Sequence, residues 1–186
     1  MTPIQVVITP YHTFWRRFWA GIVDGLVLSP LGFVEGIVNP QSHGPQVILA
    51  WSIVQAGFVV SYSVLMHAKY GQTLGKMALS VIVLDNAEQR IPTLREAALR
   101  DIGEIGPAVL SIGFLGAAIL GGEATAAPYD MFQRWLVHAG GWWFLIEIVT
   151  MMTNSRRRAL HDYIAGTVVM RKDDVPVGVV DGIGRV

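Results

Sequence analysis

Four apolar stretches, at about 18–38, 47–66, 105–120 and 135–152, dominate this chain. A helix rises about 1.5 Å per residue and needs about 20 residues to cross ~30 Å of hydrocarbon. The first, second and fourth stretches reach that length or nearly so. The third, GPAVLSIGFLGAAILGG from Gly106, is short and glycine-rich, a tilted or incomplete span by length alone. They mostly lack the clear polar face of a helix in a soluble bundle. Residues of the AVILMFWYC set make up 52% of the 186 positions and charged residues only 15%, against roughly 25% charged in a soluble domain. A small chain has proportionally more surface to cover with polar groups, so this one must meet lipid. The same figures exclude disorder. The absence of cysteine excludes a disulfide scaffold and thiol ligation of a metal.

Charge placement orients the spans. Arg16 and Arg17 precede the first; Lys69, Lys76, Arg90, Arg95 and Arg100 lie between the second and third; Arg156, Arg157, Arg158, Arg171, Lys172 and Arg185 follow the fourth. Arg134 alone falls in a loop on the other side. With four crossings, thirteen of the fourteen basic residues share one face, and the positive-inside rule makes that face cytoplasmic, with both termini inside. Trp15, Trp19, Trp51 and Trp135 sit where interfacial anchors belong, while Trp142 and Trp143 lie deeper and call for a packing role. The first stretch, too long for a signal-peptide core and carrying Asp24 and Pro30, is expected to stay as a transmembrane helix. Lys and Arg equal Asp and Glu at 14 each, so no basic field for nucleic acid exists.

The expectation is an all-α membrane protein with four transmembrane helices and a small β-containing cytoplasmic cap. One domain covers 14–170, with an N-terminal cytoplasmic segment at 1–13 and a loose tail at 171–186. HAKYGQTLGK, from His67, has a turn pattern with glycines at 71 and 75. Val81–Leu84 and Thr167–Met170 are β-branched runs expected to pair, tying mid-chain to C-terminal region; a third strand or a helix must support so small a sheet. Arg90 to Thr93 is a candidate edge strand, limited by Pro92. LREAALR, 94–100, is helix-forming and is placed at the membrane interface, with Leu94, Ala97 and Ala98 on one face.

The ionisable groups at membrane depth are the candidate site. On the first helix one stripe carries Arg17, Gly21, Asp24, Leu28 and Glu35. Beside it, Gly21–Gly25 and Gly32–Gly36 have the small-xxx-small spacing of close helix contacts, and Pro30 predicts a kink. A buried carboxylate must be paired, protonated or near water. Asp24 is therefore either neutralised by Arg17 or Arg158 as a packing device, or a proton or cation site. Glu147 in the fourth span is either neutral and hydrogen-bonded to Gln55 or Tyr62, or functional. Asp162 is expected to pair with Arg157, Arg158 or Arg17, the remaining arginines meeting anionic lipid. GQTLGK is not a phosphate loop: three residues separate Gly71 from Gly75, and Met77 follows Lys76. No histidine pair has metal-ligand spacing, and no cofactor or metal is expected.

Three blocks resemble the RDD family of small membrane proteins. RRFWAGIVDGLVL, 16–28, is similar to its opening helix, with Arg17, Ala20 and Asp24 as spaced signature. GQTLGKMALSVIVLD, 71–85, resembles the segment after its second span and marks Gly71, Thr73, Gly75 and Lys76 as a cytoplasmic motif. RRRALHDYIAGTVVM, 156–170, resembles its closing block, with Asp162 as the second Asp of the name. Met77, where the family often has a basic residue, and the long arginine run are local departures. The resemblance implies a transport-related or accessory module in the cytoplasmic membrane of a bacterium; some members are linked to sodium–proton exchange. Two functions follow as expectations. One is a small-cation/proton transporter or a transporter subunit using Asp24 and Glu147, with Arg17, Arg158 and Asp162 at the inner end, acting as a homo-oligomer. The other is a structural or partner-binding membrane module. An enzyme is not expected, since no nucleophile and base pair up; membrane lipid and a membrane-protein partner are.

Overall fold

The computed structural model describes residues 10–38, 42–122 and 126–175. Four long helices, α1 (Phe14–Val38), α2 (Pro45–Tyr70), α5 (Ile102–Leu120) and α6 (Ala126–Thr153), alternate with the short helices α3 (Leu74–Ala78), α4 (Leu94–Arg100) and α7 (Leu160–Ala165) and the strands β1 (Val81–Asp85) and β2 (Thr167–Arg171). The stretches apolar enough to cross a membrane are α1, α2, α5 and residues Met131–Thr153 of α6. Each extends beyond the apolar run in sequence. α2 continues to Tyr70 before Gly71 closes it in the left-handed conformation at φ 66°, so His67 belongs to the helix and the turn begins later than the glycine pattern suggests. The third span gains Ile102–Glu104 and reaches 19 residues, a full crossing.

Burial is inverted relative to a soluble protein. At most 6% of any span's apolar window is buried, and Phe33, Leu65, Trp135 and Val137 are among its exposed side chains. The tightly buried hydrophobic residues are instead in the cap, at Val81–Leu84 and Val168–Met170. Backbone groups satisfied inside helices, with apolar side chains outward, are what a lipid solvent requires. Pro30 illustrates the rule. It lacks an N–H and leaves the Leu26 carbonyl without its helical donor; the Ser29 hydroxyl donates to that oxygen at 2.8 Å, and α1 passes through Pro30 as one helix.

β1 and β2 pair antiparallel with Val83 opposite Val169, the pairing expected from the two β-branched runs. One face of the sheet, Ile82, Leu84, Val168 and Met170, is covered by Val175, Tyr11 and Ile91; Val81, Val83 and Val169 form the other. Both faces are covered, so the strands read as continuous apolar runs without alternation. No third strand occurs among the described residues: Asp85 to Arg90 is a turn closed by the Asp85 N–H on the Arg90 carbonyl at 2.9 Å, and Arg90 leads to Thr93, which caps α4 in a complete capping box with Glu96. The residues expected to be loose at 171–175 belong to the cap. Lys172 N–H reaches Ser80 O, Arg171 N–H reaches Pro10 O, and Val175 is buried. The rest of the expected tail, 176–186, and residues 1–9 of the N-terminal segment lie outside the described residues.

Candidate functional site

Two polar centres lie where the long helices meet the cap. The first is built on Asp24. Its carboxylate accepts from Tyr62 Oη of α2 at 2.7 Å, from Thr73 Oγ1 at 2.6 Å and from the Gly75 backbone N–H at 2.8 Å. Thr73 is the N-cap of α3, so GQTLGK does cradle an anion, but the anion is the protein's own Asp24. The approach needs glycine: a Cβ on Gly75 would overlap the Ala20 carbonyl and sit 2.8 Å from the Asp24 carboxyl carbon. This corrects the expected pairing. Neither Arg17 nor Arg158 reaches Asp24, because both are turned toward Asp162. No ion pair of Asp24 exists among the described residues; all three of its partners are neutral.

The second centre is Asp162, fully enclosed. It receives Arg17 Nη2 at 2.9 Å, Arg100 Nη1, and the Ala159 N–H at 2.9 Å, while Arg158 Nη2 donates to its backbone carbonyl at 2.9 Å. Burial by itself would raise this carboxyl, but Arg100 and Arg17 outweigh it and hold it well below the usual carboxylate range. Arg157 contributes only its backbone carbonyl, which Arg17 contacts at 3.2 Å. Arg158 also lies over the Tyr163 ring, 4.2 Å from its centroid. Arg100 was not singled out in sequence. α4 turns Ala97 and Arg100 inward while Leu94 is exposed, so its buried face differs from the one expected to rest on the membrane. An arginine three residues after Ala97 on that face was the available signal.

Glu147 bonds neither Gln55 nor Tyr62, which are occupied by Glu35 and Asp24; it meets His161 Nδ1 instead. Burial, with Arg100 beside it, lowers the His161 pKa and favours the neutral ring. Nδ1 then donates to Glu147, and Nε2, 3.2 Å from Arg17 Nη2, accepts. A parallel pair lies under α3. Lys76 Nζ is 2.5 Å from Nε2 of the buried His67, whose Nδ1 faces Ser63 Oγ at 3.3 Å. Enclosure, reinforced by Arg100, pushes the Lys76 amine down to about 7.

These centres border a cavity of about 750 Å³ between α1, α2, α5 and α6, lined among others by Asp24, Tyr62, Lys76, Asp101, Glu104 and Glu147. Asp101, 8% exposed, keeps Oδ2 without a hydrogen-bond partner. A second cavity of about 490 Å³ leads toward the opposite ends of the helices, past Glu35, Gln55, Ser111 and Gln133. The α1 stripe divides accordingly: Arg17, Gly21, Asp24 and Leu28 line the first cavity and Glu35 the second. The glycines do not make the expected close helix contacts within the chain. A Cβ on Gly21, Gly25, Gly32 or Gly36 would meet nothing within 4 Å, since α1 makes its tight approach to α3 at Gly75. Of the deep tryptophans, Trp143 packs on Gly103 of α5, where a Cβ would sit 2.6 Å from its indole nitrogen, and Trp142 faces outward.

The sequence profile of the RDD family matches residues 11–166. The chain is 28% identical over 106 residues to YteJ of Bacillus subtilis (strain 168), described as an uncharacterized membrane protein, across 53% of this chain and 63% of that one. The chain thus aligns with less than two thirds of that relative's length. No solved structure matches significantly.

Proposed function

The chain belongs to the RDD family, and on that premise we propose that it is a small-cation/proton transporter, or the transporting subunit of one, in the cytoplasmic membrane of a bacterium. The observation that carries this reading is Asp24: a half-buried carboxylate on a membrane-spanning helix, lining a 750 Å³ cavity and held only by neutral donors. A carboxylate in that setting without a cationic partner calls for a proton or a cation. The Asp162 carboxylate, by contrast, is paired with two arginines and serves as the anchor that joins α1, α4 and α7. The sorting of basic residues toward the cap supports a cytoplasmic cap. Four helices form a thin wall, and the open glycine face of α1 suits a second copy or lipid. No catalytic step is assigned to the site.

A second reading, a structural or partner-binding module, is favoured by the way Asp24 fastens α2 and α3 to α1. The two separate in liposomes holding only the purified protein, under an imposed pH gradient with sodium, lithium or potassium outside. Cation-dependent proton flux in the wild type, lost in Asp24→Asn with the helical circular-dichroism signal retained, is the expected result. Asn keeps an oxygen acceptor for Tyr62 and Thr73 and removes the charge. Flux unchanged in that variant removes Asp24 as the site; no flux in the wild type, with loss of fold in Asp24→Asn, assigns it to packing.

A further inference from the structure

The two cavities are separated by one seam. Val59 of α2 and Glu104 of α5 line both of them. On the cap side of that seam stand Tyr62, Asp24 and Asp101; beyond it stand Gln55, Ser111, Gln133 and Glu35. Val59 is eleven residues, about 16 Å of helix rise, from the cap end of α2 at Tyr70. On α2 the seam thus falls well inside the span, whereas on α5 it falls in the first turn, at Glu104.

Two acidic side chains here lack a partner among the described residues, Asp101 on the cap side and Glu104, and of the two only Glu104 lines both cavities. Asp162 is enclosed by arginines, Glu147 is met by His161, and Asp24 has three donors. The Glu104 carboxylate takes no hydrogen bond and no ion pair from the described residues, and it is exposed to both voids. Beyond the seam the polar side chains continue in pairs, Gln133 Nε2 to Ser111 Oγ at 2.6 Å and Gln55 Nε2 to Glu35 at 3.5 Å. A polar lining thus runs from the cap past Glu104 toward the far ends of the helices, interrupted by the Val59 side chain.

We infer that the two cavities are the halves of a single transmembrane pathway, gated at the α2–α5 seam, with Glu104 as the carboxylate that takes up the proton or small cation from either half. This rests on the transport reading above, in which Asp24 is the site within the cap-side half, and adds the route and the carboxylate at which access changes sides. A bare carboxylate is the group that can hold a proton or a cation in turn without first breaking a bond to the protein, and one residue touching both voids is where access must change sides. Parting α2 from α5 by a side-chain width at Val59 would join the cavities.

The chain has no cysteine, so single-cysteine full-length variants report accessibility without background. Ile148→Cys marks the cap-side cavity, Ser111→Cys the other, and Val59→Cys and Glu104→Cys the seam. Each is reconstituted in vesicles and treated with a membrane-impermeant methanethiosulfonate reagent from one face at a time. The expected result is one-sided labelling of the two markers, from opposite faces, and labelling of both seam positions from either face. Seam positions labelled from one face only, or from neither, overturn the pathway. Should Glu104→Cys fail to fold, Val59→Cys alone decides by the same criterion. Two-sided labelling without flux in the wild type overturns transport and keeps the pathway; flux with one-sided seam labelling overturns the seam as the route and keeps transport.

Discussion

Asp162 and Lys76 lie in one polar region, and both make stability rise with pH, but over separate windows and for opposite electrostatic reasons. Asp162 is held far below its ordinary value of 3.8 by two guanidiniums. Its stabilisation is fully in place above the unfolded value and is lost progressively as pH falls from there toward the much lower folded one, so mild acid leaves the arginine network closed. Lys76 is lowered from 10.5 to about 7. Below about 7 the folded protein carries the full cost of an enclosed ammonium. Between about 7 and 10.5 the folded state sheds its proton while the unfolded chain keeps it, so the unfolded state binds more protons and stability rises with pH. Thermal unfolding in detergent at pH 6.5 and 9.5 should therefore show a stability gain for the wild type that Lys76→Met lacks. Parallel curves for the two proteins would mean that the amine is solvated in the fold. That Asp24 and Asp162 matter was legible from their isolation in apolar or mixed surroundings. Their partners were not, because Tyr62, Thr73, Gly75 and Arg100 come from three separate elements, α2, α3 with its N-cap, and α4.

Helices α1 and α3 show why identical residues on different elements have unlike roles. Gly75 has no room for a methyl group, because α3 lies with its N–H on Asp24 and its backbone against Ala20. Gly75→Ala should cost about 1–3 kcal/mol of stability, the range for forced overpacking, and open the Asp24 cradle. Gly21→Ala, whose added Cβ would meet nothing within 4 Å, should be neutral or stabilise by about 0.5–1 kcal/mol through helix propensity. Melting temperatures of both variants in one detergent check the contrast. If Gly21→Ala instead dissociates an oligomer on size exclusion, the α1 glycines pack between chains. Four spans, the short α4 and the β1–β2 pairing stand where length and propensity put them, whereas α3 falls on residues read as a turn and α7 was not expected. Element ends were not readable. α2 runs to Tyr70 and α5 starts at Ile102, because polar residues such as His67 and Glu104 are taken into the cavity and need no aqueous loop.

At the scale of the molecule, one end is a compact cap with a dry core and the other is four helices showing their apolar faces outward. The basic residues in that cap predict its side of the membrane. A cysteine replacing Ser42, in the loop before α2, should react with an impermeant reagent on intact cells; one replacing Asp173 in the cap should react only after permeabilisation. The reverse pattern would put the cap outside. The sequence by itself determined the solvent and the spans, since about 20 apolar residues without a polar face have no stable place but lipid. It also pointed to the cap's strand pairing, because the two short β-branched runs match in length and pattern, while Pro92 weakened the other candidate at Arg90 to Thr93. The tertiary structure alone decided which charges meet. Arg17 is seven residues from Asp24 in the chain yet bonds Asp162, and Asp24 is satisfied by a backbone N–H and two hydroxyls. The physical reason is that hydrogen bonds and ion pairs act over about 3 Å, a distance set by how α3, α4 and α7 fold back under the spans, whereas hydropathy is a sum along the chain and needs no knowledge of that return.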